Sequence, residues 1–390
     1  MNTPSRCPIC ESETLSDFLF RGKVPIHQNM LMRDQQSALN VPRGDLTLCV
    51  CQSCGFIFNR SFAPPSSMYG EEYENTQACS PSFAQYMNRL VEHIIVDREV
   101  RNSHVVEVGC GNGLFLRKLV AYDGSQNKGF GFDPSYRGEL IDLDGRLSFA
   151  NRYYDEQCAD VPADVVVCRH VIEHVARPVD LLLTIRRALV RAERPRLFFE
   201  TPCVEWILKN RVMWDFFYEH CSYFTAASLT TAFEMAGFQV DDVRTVFGDQ
   251  YLWLEASLTN IRPSVSKNGE DIVGLAADFA KSEAESMGWW REKIRRLSAG
   301  GKVALWGAGA KGATFANMID PERCWIDCIV DLNPAKQGHF LPGTGHPIVN
   351  YSDLCARGVE TAIVMNPNYR EENFKLLSQA GLSVHLIDQI

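Results

Sequence analysis

The chain has 390 residues, of which 46% are hydrophobic and 22% charged, a balance typical of a soluble globular protein with two or three domains. Its 48 acidic side chains outnumber its 39 basic ones, and the resulting net charge of −9 argues against non-specific nucleic-acid binding. No apolar run approaches the roughly 18 residues that a membrane span needs, and the N-terminal residues lack the apolar core of a secretory signal. We therefore expect a cytoplasmic protein with no membrane partner.

Two CxxC pairs stand out near the N-terminus among the 14 cysteines of the chain. Without a secretory signal, metal ligation is a better interpretation of so many cysteines than a disulfide framework. Cys7 and Cys10 form one pair, and Cys51 and Cys54 form the other. Together they match the four-thiolate shell of a closed, structural zinc site, and Cys49 is an alternative ligand. Two unrelated reduced pairs, or a redox motif, are the competing interpretations.

A segment rich in Pro, Ser and Tyr follows the second pair and is predicted to be a loop. It contains Tyr69 and Tyr73, either of which could fold over a substrate as a lid; simple packing is the alternative. We place the zinc-binding domain at 1–75 and the start of the next domain at 76.

A buried strand and a glycine-rich turn, HVVEVGCGNG, open the central part of the chain and lead into a helix. Gly109, Gly111 and Gly113 allow the backbone to approach a ligand closely and to adopt φ values that other residues avoid. Twenty residues later a second strand ends in Asp133, the position at which a Rossmann-type sheet binds a ribose. The following alternation of strands and helices predicts a parallel sheet covered on both faces and closed by an antiparallel pair of strands.

Two helices in this central part are predicted from their apolar spacing. One spans Ser82–Arg101 and the other is a short helix at 135–143. Further along, His174 lies beside Glu173 in HVIEHVARP, a spacing that suggests a general base. Packing at the turn before the next helix is the preferred interpretation of this histidine.

The segment WDFFYEHCSYFT places three ionisable residues, Tyr218, Glu219 and His220, consecutively inside an aromatic stretch. Polar groups are rare in such surroundings unless they form hydrogen bonds or take part in chemistry. A histidine whose pKa lies near the operating pH is a good proton acceptor. We therefore predict a catalytic cluster here, with a satisfied core histidine as the alternative.

A second strand, glycine turn and helix, KVALWGAGAKG, opens the C-terminal part of the chain. It contains Gly307 and Gly309, and the next strand ends in Asp331, which predicts a small Rossmann-like domain over 263–390. This domain could bind a nucleotide, with phosphates at the helix N-terminus and Lys311 as a charge partner. A scaffold with an empty turn that only shapes the substrate site is the alternative.

The strand VVEVGCGNG, the acid Asp133 and the segment CRHVIEHVARPVDLL resemble the class I S-adenosylmethionine-dependent methyltransferases. An NAD-dependent enzyme would instead need the pattern GxGxxG. The resemblance implies a Rossmann-like sheet over 76–262 that binds S-adenosylmethionine, with Tyr154 near the adenine and the segment from Arg169 beneath the cofactor. The implied cofactor-binding residues are Glu107, Gly109, Gly111, Gly113, Asp133, Tyr154, Arg169 and His170.

The whole chain resembles the three-domain C-methyltransferase family, through its paired CxxC segment, its methyltransferase core and the C-terminal sequences WGAGAKG, VDLNPAKQGHFLPGTGHPI and VMNPNYREEN. Members include enzymes that add a branch methyl to nucleotide-linked keto-deoxysugars. The family has a Tyr-x-Glu-His arrangement at its active site, whereas here Phe217 holds the tyrosine's place and Tyr218 is shifted by one. A Gly-Gly-Ser-x-Arg-like turn of the family is replaced by FGDQY at 247–251.

This resemblance implies methylation of a carbon beside a ketone, in a keto-sugar that is nucleotide-linked or in a related small molecule. We expect His220, held by Glu219, to remove the proton while Tyr218 or Tyr73 hydrogen-bonds the enolate oxygen. Three alternatives remain: O- or N-methylation of a metabolite in natural-product biosynthesis, nucleic-acid methylation, and a non-catalytic cofactor-binding module. A monomer or a homodimer is expected.

Overall fold

The structure, a computed structural model, describes residues 4–64, 73–258 and 270–388. Tyr69 and most of the polar linker before the C-terminal unit lie outside these ranges. The described residues form three sheets, one in each third of the chain. No helix among them combines the length and the apolar character that a membrane crossing requires.

The N-terminal unit is a small antiparallel sheet whose strands bury alternate apolar side chains, such as Leu46 and Leu48. The two CxxC turns lie at the end of the sheet where the first and second strands pair. Its elements are β1 (Leu15–Pro25), α1 (Gln35–Leu39), β2 (Arg43–Cys51) and β3 (Ile57–Asn59).

The central unit is an eight-stranded sheet with five parallel strands at its centre and antiparallel strands at both edges. Its inner strands are mostly apolar because helices cover both faces, and the buried acids Glu107 and Glu200 are exceptions. The elements are α2 (Pro81–Glu92), β4 (His104–Val108), α3 (Leu114–Ala121), β5 (Lys128–Phe132), β6 (Ile141–Asp142), β7 (Leu147–Ala150), β8 (Val165–Arg169), α4 (Pro178–Leu189), β9 (Arg196–Pro202), α5 (Val204–Lys209), β10 (Ser222–Tyr223), α6 (Ala226–Met235), β11 (Phe238–Val246) and β12 (Tyr251–Leu258).

The strand order of this sheet is β11-β12-β9-β8-β4-β5-β7-β6, so the turn after β4 lies at the centre of the sheet's carboxyl edge. Ligands bind at this edge in open α/β sheets. Strand β10 leaves the unit and pairs with β3, which attaches the segment around residue 220 to the N-terminal sheet. The predicted α/β class and the closing antiparallel pair of strands are confirmed.

Two of the predicted helices differ from the structure. The first, predicted to reach Arg101, ends as an α-helix at Glu92 and continues as one π-helical turn to Asp97. The second, at 135–143, is absent from the described residues. Its chain is irregular because Tyr136 stacks on Phe149 with ring centroids 4.3 Å apart and donates a hydrogen bond from its hydroxyl to a main-chain oxygen.

The C-terminal unit is a five-stranded parallel sheet of order β15-β14-β13-β16-β17, and the predicted Rossmann-like arrangement is confirmed. A long helix precedes it and packs against β1 and α5, which joins the three units. The elements are α7 (Glu270–Gly300), β13 (Lys302–Trp306), α8 (Ala310–Ile319), β14 (Ile326–Val330), β15 (Ile348–Val349), α9 (Leu354–Arg357), β16 (Val359–Val364), α10 (Arg370–Gln379) and β17 (His385–Ile387).

The glycine turn before α8 depends on a close backbone approach at Gly312. A Cβ atom built on Gly312 would lie 1.9 Å from the main-chain oxygen of Gly307, which cannot move without breaking the turn. Gly288 lies in an exposed part of α7, and a Cβ atom built on it would have no neighbouring atom within 4 Å.

We predict opposite effects of Gly→Ala substitution at these two helical positions. Gly312→Ala should lower the free energy of unfolding by roughly 1–3 kcal/mol because the added methyl overpacks the turn. Gly288→Ala, the control, should raise it by about 0.5–1 kcal/mol through reduced backbone freedom in the unfolded chain. Chemical denaturation measures both, and equal effects of the two substitutions would contradict the close approach at Gly312.

Candidate active site

Two adjoining cavities lie along the carboxyl edge of the central sheet. The glycine-turn cavity, of about 300 Å³, surrounds the turn after β4, and the central cavity, of about 260 Å³, lies between the central and C-terminal units. Both are lined by Tyr73, Asn75, Thr76, Gln77, His170 and His174. The cavities therefore meet at a wall that contains two histidines and a tyrosine, so that ligands bound in each could react with one another.

The glycine turn forms one side of the first cavity. Gly109 has a φ of 72°, and a Cβ there would lie 2.1 Å from a methyl group of Val171. Gly111, with a φ of 53°, has open space where a Cβ would be, and its N–H donates a 2.8 Å hydrogen bond to Asp133 Oδ2. The predicted acid thus fixes the turn while it lines the cavity.

Gly113 is a predicted cofactor-binding residue that lies outside the lining of both cavities in the described chain. It is the N-cap of α3 with a φ of 76°, and a Cβ there would lie 2.5 Å from the ring of Phe149. Gly113 therefore allows the left-handed turn into α3 and the close packing of Phe149. Tyr154 does line the cavity, with its ring edge-on to Phe132 at 5.2 Å.

Glu107 is the buried acid of this cavity, and only 2% of its surface is exposed. Its Oε2 finds no hydrogen-bond partner among the described residues. Burial raises the pKa of Glu107 to about 8, although the positive charge of Arg169 opposes the rise. A cavity-lining carboxyl group with an unused oxygen suits a ligand that carries positive charge.

Glu200, a fully buried residue that the sequence did not single out, holds the next residues in place. Its carboxylate accepts hydrogen bonds from Arg169 Nε at 2.6 Å and from the Tyr86 hydroxyl at 2.5 Å. Burial alone would raise the pKa of Glu200, but Arg169 and His170 outweigh it and lower the pKa to about 2.

His170 occupies the wall between the cavities with a φ of 54°, in the left-handed region. Burial alone would lower its pKa, but Glu200 and Glu173 outweigh this effect and raise the pKa to about 9. The imidazole is therefore protonated at neutral pH, and the two carboxylates compensate its charge.

His220 lines the central cavity and lies among aromatic rings. Its ring centroid is 4.7 Å from that of His174, with the two rings nearly perpendicular, and 4.1 Å from that of Phe217. Burial lowers the pKa of His220 well below its usual range, and the nearby His174 and His170 lower it further. His220 is thus a neutral imidazole next to the shared wall.

Glu219 was predicted to hold His220, but its carboxylate faces the N-terminal unit instead. Its Oε1 lies 3.2 Å from Nδ1 of His27, and its Oε2 accepts a hydrogen bond from the main-chain N–H of Gln28 at 3.3 Å. The side chain that faces His220 in the described structure is His174. Glu219 positions His174 through its main-chain oxygen, which is 3.1 Å from the Nδ1 atom of that histidine.

The two tyrosines of the predicted cluster differ in position. Tyr218 lies outside the lining of both cavities, packs against Gly44 of β2, and exchanges hydrogen bonds of 3.0 and 3.1 Å with the main chain of Ala63. Tyr73 lines both cavities. Burial and the charge of Glu219 raise the pKa of Tyr73 well above its usual range, so that its hydroxyl keeps its proton. Tyr218 is therefore corrected to a packing residue, and Tyr73 remains the candidate donor.

Lysines of the C-terminal unit form the far wall of the central cavity. Lys311 Nζ lies 2.7 Å from Asp215 Oδ2 and 3.2 Å from Gln250 Oε1. Lys336, only 5% exposed, donates to Asn29 Oδ1 at 3.2 Å. Gln250 belongs to the FGDQY turn and thus brings an amide into the cavity.

The four predicted zinc ligands converge in the N-terminal unit. The Sγ atoms of Cys7 and Cys54 are 3.7 Å apart, those of Cys10 and Cys51 are 3.5 Å apart, and all four lie within 4.8 Å of one another. Tetrahedral zinc with Zn–S bonds of about 2.3 Å requires sulfurs about 3.8 Å apart, so the geometry fits. Cys49 is outside this cluster, and its Sγ faces the carbonyl of Val50.

Two family profiles match the chain. The methyltransferase domain family matches residues 82–243, and the C-methyltransferase C-terminal domain family matches residues 261–381. The C-methyltransferase NovU of Streptomyces niveus is 27% identical over 398 aligned residues, which cover 94% of this chain and 90% of that protein.

Solved structures with similar folds include two methyltransferases bound to S-adenosylhomocysteine. The 1,6-didemethyltoxoflavin-N1-methyltransferase of Burkholderia thailandensis is 15% identical, with a TM-score of 0.33 over 45% of this chain and 79% of that one. The magnesium protoporphyrin IX methyltransferase of Synechocystis is 18% identical, with a TM-score of 0.36 over 49% and 91%. The assignment depends on the two profiles and the full-length relative: the chain is an S-adenosylmethionine-dependent methyltransferase whose C-terminal part matches the C-methyltransferase C-terminal domain.

Proposed function

We propose that the protein methylates a carbon atom beside a ketone, in a keto-sugar that is nucleotide-linked or in a related small molecule. One observation carries this proposal: the glycine-turn cavity and the central cavity share a wall that contains the protonated Tyr73, and the neutral His220 lines the central cavity beside His174 of that wall. Proton removal and stabilisation of the resulting negative oxygen are the two tasks that carbon methylation needs from the protein.

The glycine-turn cavity suits S-adenosylmethionine, which supplies an electrophilic methyl group when bound. The unused carboxylate oxygen of Glu107 fits the positive charge of the methionine part. Asp133 Oδ1 accepts two hydrogen bonds from Ser135 and Oδ2 accepts one from Gly111, so Oδ2 keeps one acceptor position for a ribose hydroxyl. The glycines permit the backbone approach, while Arg169 and Tyr154 complete the lining.

His220 is the proposed base. Its low pKa keeps the imidazole neutral and able to accept a proton from the carbon next to the ketone. The electron pair left on that carbon forms the new bond to the methyl group, and the proton stays on His220 until solvent removes it. Tyr73 is the proposed donor to the enolate oxygen because its hydroxyl keeps its proton.

The central cavity supports a substrate with an anionic part. Lys311 and Lys336 line its far wall, beside the N-terminus of α8, where helix N–H groups favour negative charge. Asp215 offsets part of the charge of Lys311. A phosphate of a nucleotide-linked sugar would therefore be bound on this wall, with the ketone directed at the shared wall.

We further propose that Cys7, Cys10, Cys51 and Cys54 bind one structural zinc ion. Four cysteine ligands leave no open coordination position, so this ion would have no catalytic role. It would hold the Leu15–Cys51 end of the β1–β2 pair, whereas His27 and Gln28, which contact Glu219, follow the opposite end of β1.

The site of methylation is tested with S-adenosylmethionine labelled with ¹³C in its methyl group and a panel of nucleotide-linked keto-sugars. A carbon-bound methyl gives a product signal in the aliphatic region of the ¹³C spectrum, far from the signals of O-methyl and N-methyl groups. We expect the aliphatic signal, and an O-methyl or N-methyl product would refute the proposal.

We predict that His220→Ala lowers kcat by roughly 10²–10⁴-fold in the same assay because the general base is lost. Cofactor affinity should be unchanged, since His220 is not part of the glycine-turn cavity. Tyr218→Phe is the control and should retain near wild-type kcat. Wild-type turnover by His220→Ala would exclude this histidine as the base.

We predict that S-adenosylmethionine binds more tightly as the pH rises towards 8. Burial raises the pKa of Glu107 to about 8, and a positively charged ligand favours the ionised form, so binding below that pH must expel a proton. The affinity should increase by up to about tenfold per pH unit and then level off. Calorimetry should show a flat profile for Glu107→Gln and the wild-type slope for the exposed control Glu193→Gln.

We predict that Cys51→Ala removes one equivalent of zinc from the purified protein, as measured by metal analysis. Cys49→Ala is the matched control, a neighbouring buried cysteine outside the four-sulfur cluster, and should retain the metal. Loss of the zinc should also reduce methyl transfer, because Glu219 is held by the N-terminal unit. Purified wild-type protein with far less than one equivalent of zinc would refute the site.

A further inference from the structure

We propose that Glu173, His174 and His220 form a second metal site, which binds one divalent transition-metal ion such as Zn²⁺ or Co²⁺. One ligand atom from each residue lies within 4.8 Å of the other two, in the wall of the central cavity. Two imidazoles and one carboxylate are a ligand set that first-row transition metals accept. The site is separate from the four-cysteine cluster and differs from it in ligand chemistry.

Two of the three residues have a buried polar atom without a partner among the described residues. Glu173 is 1% exposed, and its Oε2 accepts a 3.1 Å hydrogen bond from Thr201 while its Oε1 accepts none. Nδ1 of His220 is likewise buried and unsatisfied. Leaving such an atom without a hydrogen-bond partner is energetically costly. A cation bound by Glu173 and His220 would give both unsatisfied atoms a partner.

The third residue, His174, is held in the tautomer that binds metals. Its Nδ1 lies 3.1 Å from the main-chain oxygen of Glu219, which can only accept, so Nδ1 carries the proton and Nε2 carries the lone pair. A hydrogen bond of this kind from the second ring nitrogen orients most metal-binding histidines in proteins.

The nearest positive charge is His170, whose Nδ1 lies 3.5 Å from Glu173 Oε1. Glu200 compensates it from the other side, at 3.6 Å from His170 Nε2. The carboxylate of Glu173 is therefore available to an ion, and the neighbouring carboxylate of Glu219 adds further negative charge to the cavity.

A metal ion at this site should inhibit methyl transfer, an effect that rests on the proposed role of His220. A neutral imidazole has one lone pair, and an ion that takes it leaves the other nitrogen protonated. His220 then has no lone pair with which to accept a proton from the substrate. Metal binding itself does not depend on that role.

The test is a Co²⁺ titration of the full-length protein after its four-cysteine site has been filled with zinc. Wild-type protein should bind one further equivalent and show weak visible d–d bands without the thiolate-to-cobalt charge-transfer band. His174→Ala and Glu173→Gln should bind Co²⁺ at least about tenfold more weakly. Glu173→Gln is nearly isosteric and keeps an acceptor for Thr201, so it guards against a folding defect in the other variant. His385→Ala, an exposed histidine of β17, should bind as the wild type does.

The binding and activity measurements separate the two proposals. Absence of a second equivalent in wild-type protein, or wild-type affinity in both variants, would overturn the metal site. Added Zn²⁺ should inhibit wild-type methyl transfer, and at least about tenfold more Zn²⁺ should be needed to inhibit Glu173→Gln to the same fraction of its own activity. Binding at this site without inhibition would confirm the metal site and exclude His220 as the base.

Discussion

The buried carboxylate of Glu219 connects the N-terminal unit to the cavity wall that contains His174 and His220. It is 1% exposed and would be costly to bury without partners. His27 and the main-chain N–H of Gln28 supply them. The same residue fixes His174 through its carbonyl and is followed directly by His220. The orientation of both histidines therefore depends on the chain segment that leaves β1, a remote part of the sequence.

A second buried acid, Glu200, holds Arg169, Tyr86 and His170 in place between the two cavities. It binds Arg169 and Tyr86 directly and compensates the charge of His170. Such a buried network is stable only when every charge has a partner, and removal of one partner leaves the others unpaired. This network gives the shared wall a fixed shape, which matters because methyl transfer requires donor and acceptor atoms in line at close range.

The parts of the site that follow from local sequence were predictable, and those that depend on distant contacts were not. The glycine turn and each CxxC pair are short motifs within a few consecutive residues. Asp133 is recognised by its place at the end of the next strand. His27 and Glu200 gave no such signal, because their roles come from contacts with residues far away in the sequence.

The errors of assignment have the same origin. Tyr218 adjoins the catalytic candidates in sequence, yet it lies in a turn that directs its hydroxyl to the main chain of Ala63. Gly113 continues the glycine pattern but faces Phe149 rather than a ligand. His174 was interpreted as a packing residue at the turn before α4, which its hydrogen bond to the main-chain oxygen of Glu219 agrees with, and the fold also places it beside His220. A pattern of residue types identifies a motif, whereas the direction of each side chain is decided by the fold.

The central cavity exists only when all three units are assembled. Asn29 comes from the N-terminal unit, His220 from the central unit, and Lys336 from the C-terminal unit. Polar contacts that close it across unit boundaries include Lys336 to Asn29 at 3.2 Å and Lys311 to Asp215 at 2.7 Å. A substrate anion bound by these lysines would compete with the very contacts that hold the units together. If the proposed anionic substrate binds there, its binding is coupled to the packing of the three units around the cavity.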